Sequence, residues 1–187
     1  PAELLKQARD SNRLSDLATI NTALNLFSTD VTSGFMGTST VVYVSIPDNA
    51  SSTCGSLGLP SLPTGYTYNC VTNQNLRNTD GTGWIPVNFN RISSNSPISQ
   101  LPIDPTNTTS SGSYYTYVTG GSWMLSVIPE SQKQKLELSN NPHLSKYPGV
   151  IGIGNNLDIN PLYNSTGLVG YWKFDENAGG SVLDSSG

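Results

Sequence analysis

The feature that most constrains this chain is an apolar stripe at helical spacing close to its start. The apolar positions are Leu14, Leu17, Ile20, Leu24 and Phe27. Intervals of three and four residues place side chains on one face of an α-helix, so the stripe predicts a single amphipathic helix over residues 2–27. Lys6 with Asp10, and Arg13 with Asp16, stand at helical spacing and are expected to pair weakly on the polar side.

After residue 30 the pattern changes from helical to strand-like. Strands rich in β-branched and aromatic residues are predicted over residues 40–46, 84–89, 114–118 and 123–128. Pro86 favours an edge or a bulge in the second of them. The glycine-containing turn between the last two predicts a hairpin. One long helix packed on an antiparallel sheet is the expected plan, which is an α+β fold.

The remaining part of the chain is more irregular. A short helix is predicted over residues 130–138, after a proline. Residues 139–163 are rich in Asn, Pro and Gly and predict a surface loop or linker. Residues 167–174 turn apolar and aromatic again, which predicts a strand-forming extension at the C-terminal end.

Composition and charge narrow the class of protein. Only 12% of the residues are charged, the net charge is −4, and the polar remainder is mostly Ser, Thr, Asn and Gly. This balance is typical of an extracellular β-rich domain more than of a cytosolic enzyme, and without a basic patch nucleic-acid binding is not expected. No apolar run approaches the ~20 residues that cross a bilayer, so membrane contact is expected only through a missing segment upstream of Pro1.

Two cysteines, Cys54 and Cys70, flank one loop that is rich in glycine and proline. A disulfide between them would stabilise the fold by ~3 kcal/mol by restricting the unfolded chain. In a composition typical of exported proteins, this disulfide is favoured over two free thiols. A zinc site would need two further ligands, and because His143 is the only histidine, no metal is expected.

The sequence contains no recognisable catalytic constellation, so neither an enzymatic activity nor a cofactor is expected. His143 stands in a polar turn, and no Gly-x-Ser-x-Gly elbow occurs. Asp175 and Glu176 are adjacent, which in a strand directs them to opposite faces. Asp80 and Asp158, each close to asparagines, are alternative calcium ligands, although neither follows an EF-hand spacing.

Aromatic residues in and near the predicted strands have two interpretations. They are Trp84, Tyr114, Tyr115, Tyr117 and Trp123. Aromatic rings in strands fill a core more often than they stack on sugars, so a core role is favoured over a carbohydrate site. Asn-x-Ser/Thr sequons at Asn49, Asn107 and Asn164 are expected by chance in a chain of this composition.

Several segments resemble the heads of bacterial type IV pilins and type II secretion pseudopilins. Residues 6–17, KQARDSNRLSDL, resemble the exposed half of a pilin N-terminal helix. The other similar segments are VYVSIP at 42–47, GWIPVNF at 83–89, LPIDP at 101–105 and YYTY at 114–117. The resemblance implies that residues 1–161 form a pilin-like head with a truncated N-terminal helix.

The end of the chain is similar to the opening of a laminin-G-like (concanavalin A-like) domain. The similar segments are GLVGYWKFDE at residues 167–176 and DSSG at residues 184–187. This similarity implies a second unit over residues 162–187, formed by a linker and the beginning of that domain. A carbohydrate or another surface ligand is the partner that such a domain implies.

The pilin resemblance implies a structural, non-enzymatic subunit of an extracellular type IV pilus-like filament or secretion pseudopilus. Such a subunit lies in the inner membrane before assembly and at the cell surface afterwards, with other pilin subunits as its partners. An alternative is a surface-displayed adhesion protein that presents the laminin-G-like domain on a pilin-like stalk. The mid-chain position of Cys54 and Cys70 departs from many disulfide-bearing pilins, so their receptor-binding loop is not carried over.

The resemblance also selects candidate subunit contacts at the start of the helix. Leu4, Leu5 and Ala8 lie nearest the missing apolar half of the helix and are expected to contact neighbouring subunits. The alternative is that these three side chains belong to the intramolecular core.

Overall fold

The helix predicted at the start of the chain is the longest element of the structure. A computed structural model describes residues 2–141 and 146–164. In chain order the elements are α1 (Ala2–Asp30), β1 (Val41–Val44), β2 (Thr67–Asn69), a 3-10 turn (Phe89–Arg91), β3 (Thr116–Thr119), β4 (Trp123–Val127), α2 (Gln132–Asn140), β5 (Ile151–Gly154) and α3 (Pro161–Asn164). The expected α+β class is confirmed, because α1 and one five-stranded sheet form the main part of the described fold.

The sheet is mixed, so the expectation of a purely antiparallel sheet is wrong. The strand order is β2-β1-β3-β4-β5. β1 and β2 run parallel, with Val41 opposite Thr67, whereas the other neighbouring strands run antiparallel. A parallel pair requires a connection that returns the chain to the same end of the sheet, and residues 45–66 supply it.

Both faces of the sheet are covered, which explains why every residue of β3 and β4 is buried. On one face, α1 contributes Leu17, Ile20, Leu24 and Phe27 to a core shared with aromatic side chains of the sheet. On the other face, the loop that contains the two cysteines and residues 146–163 pack on a second apolar cluster. Alternate residues of each strand face opposite sides, so both clusters draw on the same strands.

The hairpin and the short helix that the sequence predicts are confirmed, with shifted ends. β3 and β4 pair through a turn in which Gly120 N donates to Ser122 O at 2.9 Å. α2 begins two residues later than expected because Ser131 acts as the N-cap. The Ser131 hydroxyl accepts a hydrogen bond from Gln134 N at 3.1 Å, as expected for a serine at a helix N-terminus.

The strand predicted over residues 84–89 is not formed. Trp84 and Phe89 instead fill the core from an irregular segment, and their backbone N–H groups donate to Leu76 O and Thr79 O. The Trp84 ring nitrogen donates to Pro102 O at 2.9 Å. Backbone donors satisfied by loop carbonyls remove the need for a strand partner at these buried positions.

The loop or linker predicted over residues 139–163 is wrong in part, because β5 and α3 lie within it. β5 has the sequence Ile-Gly-Ile-Gly and pairs with β4. A side chain at Gly154 would place its Cβ 2.1 Å from Trp123 O, so the glycine allows the close approach of the two strands. The predicted strand-forming extension and the laminin-G-like segment at residues 167–187 lie outside the described residues, and the domain division at residue 161 stays a prediction.

No helix among the described residues combines the length and apolarity that crossing a bilayer would require.

Candidate functional site

The two faces of α1 differ in a way that the amphipathic pattern does not predict. The buried side chains of α1 are Asp10, Arg13, Leu17, Ile20, Ala23, Leu24 and Phe27. The face toward the sheet therefore includes two charged residues, whereas Leu14, predicted to be on the apolar stripe, is exposed. The expectation that Asp10 and Arg13 lie on the solvated polar side is wrong.

Arg13 is fully buried and all of its N–H groups are hydrogen-bonded. Its Nε and Nη2 donate to the two carboxylate oxygens of Asp104 at 2.6 and 2.8 Å. Its Nη1 donates to Asp10 Oδ1 at 2.7 Å and Glu130 Oε2 at 3.0 Å, and Nη2 also reaches Thr106 Oγ1 at 3.4 Å. The planar guanidinium suits this arrangement, since its five donors are fixed in a fork that matches a carboxylate.

The Asp104 carboxylate is held in place by its own loop. Its Oδ1 accepts hydrogen bonds from Thr106 N, Thr106 Oγ1 and Asn107 N at 2.8, 2.8 and 3.2 Å. The Asn107 amide in turn donates to Ser45 O and accepts from Ser45 Oγ, just beyond the end of β1. The segment LPIDP therefore connects α1 to the sheet through one buried ion pair.

Acidic side chains of α1 also bind the start of α2. Asp10 accepts from Glu130 N at 3.0 Å and Ser131 N at 2.8 Å, and Glu3 Oε1 accepts from Gln132 N at 2.7 Å. Negative groups are favoured there, because a helix N-terminus has unpaired N–H groups and a positive partial charge. Arg9 adds an ion pair with Glu130 at 2.6 Å.

Three acids around Arg13, namely Asp10, Asp104 and Glu130, keep their charge more readily than a free carboxyl. Burial raises the pKa of Asp104, but hydrogen bonds from Arg13 and Thr106 outweigh it and leave this pKa below its ordinary value. Burial also raises the pKa of Asp10, but hydrogen bonds from Ser131, Glu130 and Arg13 outweigh this effect. The pKa of Asp10 is therefore lowered. The pKa of Glu130 is lowered by Arg9 and Arg13 against the effect of burial. The network is therefore ionised at neutral pH.

Asp16 does not pair with Arg13, contrary to the sequence expectation. It lies next to the sheet and accepts a hydrogen bond from Tyr115 Oη at 2.7 Å. Burial raises the pKa of Asp16, and the hydrogen bond from Tyr115 offsets it only in part. Asp10 likewise pairs with Arg13 rather than with Lys6.

The outer face of α1 is the candidate interaction surface. Its exposed residues are Ala2, Leu4, Leu5, Ala8, Ser11, Asn12, Leu14, Ser15, Ala18, Thr19, Thr22, Asn25, Leu26, Ser28, Thr29 and Asp30. Within α1, which the structure describes from Ala2 onward, the only charged residue of this face is the last one. Asp30 itself accepts hydrogen bonds from Ser93 N and Oγ. We call this surface the outer face of α1.

The predicted subunit-contact residues all lie on the outer face of α1. Leu4 and Leu5 are 67% and 61% exposed, and Ala8 is exposed as well. The alternative that these side chains belong to the intramolecular core is therefore wrong. Their contact with neighbouring subunits stays a prediction.

The predicted disulfide between Cys54 and Cys70 is confirmed. The two Cα atoms lie 5.3 Å apart, and both cysteines are buried on the face of the sheet opposite α1. The bond closes the loop that contains β2, and Cys70 N donates to Ser52 O at 2.8 Å beside it. The disulfide thus fastens the loop that covers this face.

The aromatic residues considered for sugar binding belong to the core, as the sequence favours. Trp84, Tyr115, Tyr117 and Trp123 are buried on the α1 side and Tyr114 on the other. Two rings also hold α1: besides the Tyr115 bond to Asp16, the Trp123 ring nitrogen donates to Asn21 Oδ1 at 2.9 Å.

The calcium alternatives find little support in the contacts of their residues. Asp80 Oδ1 accepts from Thr82 N and Oγ1 within a local turn, and Asn155 Oδ1 accepts from the distant Trp123 N of β4, so both oxygens already accept from protein donors. Across residues 2–141 and 146–164, no three His, Cys, Asp or Glu side chains converge as metal ligands would. His143 and the Asp175–Glu176 pair lie outside the described residues.

No protein-family model matches this chain, and neither a curated protein nor a solved structure is significantly similar to it.

Proposed function

We propose that this protein is a structural subunit of an extracellular filament of the type IV pilus or secretion pseudopilus kind. Neighbouring subunits contact one another through the outer face of α1. The observation that carries the proposal is the lack of charge on this face before Asp30, along a helix of 29 residues. At 1.5 Å per residue the face is roughly 40 Å long.

A helix face that remains in water usually carries charged residues. Here the charged residues Asp10 and Arg13 are buried instead, and the exposed positions hold leucines, alanines, serines and threonines. Small uncharged side chains allow another helix to approach closely without removing a charge from water. The distribution supports a role for this face in contact with other subunits.

The contacts on the inner side suit a subunit that must hold its helix in a fixed position. Arg13 connects α1 to the Asp104 loop and to α2, while Asp16 and Asn21 bind tyrosine and tryptophan side chains of the sheet. Such contacts fix the direction of α1 relative to the sheet. A fixed helix transmits the position of one subunit to the next along a filament.

The experiment is a charge substitution on the outer face in the full-length protein, expressed in the bacterium that produces it. Ala18→Lys places a charge in the middle of the outer face, and Gln74→Lys places the same residue at an exposed position elsewhere. We expect Ala18→Lys to abolish filaments recovered by shearing and labelled with antibodies to the head, and Gln74→Lys to leave them unchanged. Both variants should accumulate as folded, oxidised protein.

Normal filaments from the Ala18→Lys variant would show that the outer face of α1 does not contact neighbouring subunits. Failure of antibodies to label any filament of wild-type cells would refute the structural role itself. The proposal also requires an apolar helical segment ahead of Pro1 in the complete reading frame, which sequencing that frame checks.

The display hypothesis rests on the similarity of residues 167–176 to a laminin-G-like domain. It is tested by the binding of the full-length protein to a panel of glycans, with and without the region after residue 164. Equal binding by the two forms would refute this second function and leave the filament proposal standing.

A further inference from the structure

An apolar pocket lies on the face of the sheet opposite α1, between the disulfide loop and the segment that carries β5 and α3. The rings of Tyr114, Tyr147 and Tyr163 line it together with Pro60 and Pro148, and the rest of its described lining is aliphatic. Its volume is about 390 Å³. We call this feature the tyrosine pocket.

One polar group of the tyrosine pocket is buried without a partner. Tyr114 is only 7% exposed, yet its hydroxyl forms no hydrogen bond with residues 2–141 or 146–164. Every fully inaccessible side-chain nitrogen or oxygen of the buried and half-buried residues described here is hydrogen-bonded. The Tyr114 hydroxyl is therefore accessible from the pocket that its ring lines. A largely buried hydroxyl without a partner is costly, and a ligand that bonds to it removes that cost.

The aromatic wall of the tyrosine pocket is fixed from behind by a buried polar contact. Asn160, just ahead of α3, donates through Nδ2 to Thr116 Oγ1 and Ser126 Oγ, both at 3.2 Å. Ser126 Oγ also lies 3.5 Å from Tyr163 Oη, and the rings of Tyr163 and Tyr147 stack with their centroids 5.4 Å apart. A wall held in this way loses little freedom when a ligand binds.

The lining restricts the chemistry of a ligand. None of the described residues that line the pocket carries a charge, so an ion would lose its hydration there without gaining a counter-ion. A sugar presents several hydroxyls, and the prolines and aliphatic side chains would leave most of them without partners. An aromatic ring matches the tyrosine rings through stacked or edge contacts. One hydrogen-bonding substituent on that ring is enough to satisfy Tyr114.

Burial, together with the neighbouring Tyr163, raises the pKa of Tyr114 to about 12, so its hydroxyl is protonated at neutral pH and available as a donor. We propose that the tyrosine pocket binds a small uncharged aromatic compound with one hydrogen-bonding substituent, such as a phenol, and that Tyr114 Oη bonds to this substituent. The pocket and the outer face of α1 are separate surfaces. The inference therefore goes beyond the proposed filament function and does not depend on it.

The test measures binding of p-cresol to the full chain in its oxidised form by ligand-observed NMR. This compound has the ring and hydroxyl of a tyrosine side chain and is uncharged at pH 7, because its pKa is about 10. Toluene is the matched compound without the hydroxyl. Tyr114→Phe is the matched variant, which keeps the ring and removes a hydroxyl that has no partner among the described residues. Tyr66→Phe, at a half-buried tyrosine outside the pocket lining, is the control.

We expect p-cresol to bind wild type and Tyr66→Phe alike and to bind Tyr114→Phe about fivefold more weakly, since one hydrogen bond is lost. Toluene should bind all three proteins equally. Absence of p-cresol binding, or equal binding by Tyr114→Phe, would overturn the inference and leave the filament proposal standing. Tighter binding of benzoate, methyl β-glucoside or tetramethylammonium than of p-cresol would overturn it as well, because it would assign the pocket to an ion or a sugar.

Ile128→Trp provides a second measurement at the rim of the pocket. Ile128 lines the pocket and is 40% exposed, so a larger ring there fills the space without entering the core. We expect loss of p-cresol binding with an unchanged urea midpoint. Leu136→Trp, at a more exposed position on α2, is the control and should bind p-cresol as wild type does. Binding of p-cresol at wild-type affinity by folded Ile128→Trp would overturn the assignment of the site.

Discussion

The two faces of α1 differ in where their charged residues lie. On the inner face, Asp10 and Arg13 are buried among partners that satisfy each of their polar atoms. On the outer face, the exposed positions before Asp30 carry no charge at all. A helix selected only for solubility would place its charges outward. Charge on α1 therefore fixes the helix against the rest of the fold, and the uncharged exposed surface is the one that the proposed function assigns to contact between subunits.

The largest expected effect is that of removing the central cation of the inner face. Arg13→Met leaves Asp10 and Asp104 buried without their counter-ion, and we expect a loss of about 3–5 kcal/mol in the free energy of unfolding. Urea denaturation followed by tryptophan fluorescence measures it. Arg9→Met is the control, since Arg9 is partly exposed and a surface ion pair contributes about 0–1 kcal/mol. Equal effects of the two substitutions would contradict the distinction between buried and peripheral charge.

The second effect is acid sensitivity, to which the inner face contributes together with Asp30, Asp48 and Asp80, whose pKa values are also lowered by hydrogen bonds. The pKa values of Asp10, Asp104 and Glu130 lie below their ordinary values of 3.8, 3.8 and 4.5 in the folded protein. Their contribution is therefore present above those ordinary values and is lost as the pH falls through the lower folded values. We expect the urea midpoint to fall steeply below about pH 4. A midpoint that is flat from pH 7 to pH 3 would show that the network adds no pH-dependent stability.

A smaller effect is expected at Asp16, where the dependence of stability on pH has the opposite sign. Burial raises its pKa in the folded protein, so its favourable contribution is complete below the ordinary value of 3.8 and is lost as the pH rises through the folded value. Asp16→Asn keeps an acceptor for Tyr115 without the charge, and we expect unchanged or increased stability at pH 7, by up to about 1 kcal/mol. The gain should disappear near pH 3, where the carboxyl is protonated. A clear loss of stability at pH 7 would show that the charge itself is needed.

The smallest effect on stability is expected on the outer face. Ser15→Lys lies at an exposed position, and we expect the free energy of unfolding to change by no more than about 0.5 kcal/mol. The same urea titration measures it, with wild type as the reference. A loss as large as that of Arg13→Met would mean that Ser15 packs against the rest of its own chain, and would contradict the distinction between the two faces.

The sequence predicts α1 correctly but assigns its faces only in part. Positions 10, 13, 17, 20, 24 and 27 follow alternating intervals of three and four, so the geometric stripe includes Asp10 and Arg13. A stripe defined by apolar residues alone includes Leu14 and leaves out Arg13, which is one position away. The partners that make a buried arginine favourable, Asp104 and Glu130, are 91 and 117 residues distant along the chain. Periodicity could have indicated the buried position, but its partners depend on the tertiary fold.

The strands also show that the sequence predicts local pairing better than pairing between distant segments. The β3–β4 hairpin is local, and its turn and alternation predict it well. β2 has three residues within the disulfide loop, and its parallel pairing with β1 depends on the path of residues 45–66. Gly152 and Gly154 weaken the strand signal of β5, although the close approach to β4 is what requires glycine at Gly154. Short strands of this kind are determined by their neighbours rather than by their own composition.

The Cys54–Cys70 bond has a mechanical consequence when the chain is pulled from its two ends. It spans 16 residues, which would span roughly 50 Å if fully extended. While the bond is intact, a pulling force is transmitted through the disulfide and not along this loop. The loop that contains β2 therefore does not extend. We expect stretching of single molecules to give a contour length roughly 50 Å shorter for the oxidised protein than for the reduced one. The disulfide thus limits how far the chain can extend under a pulling force.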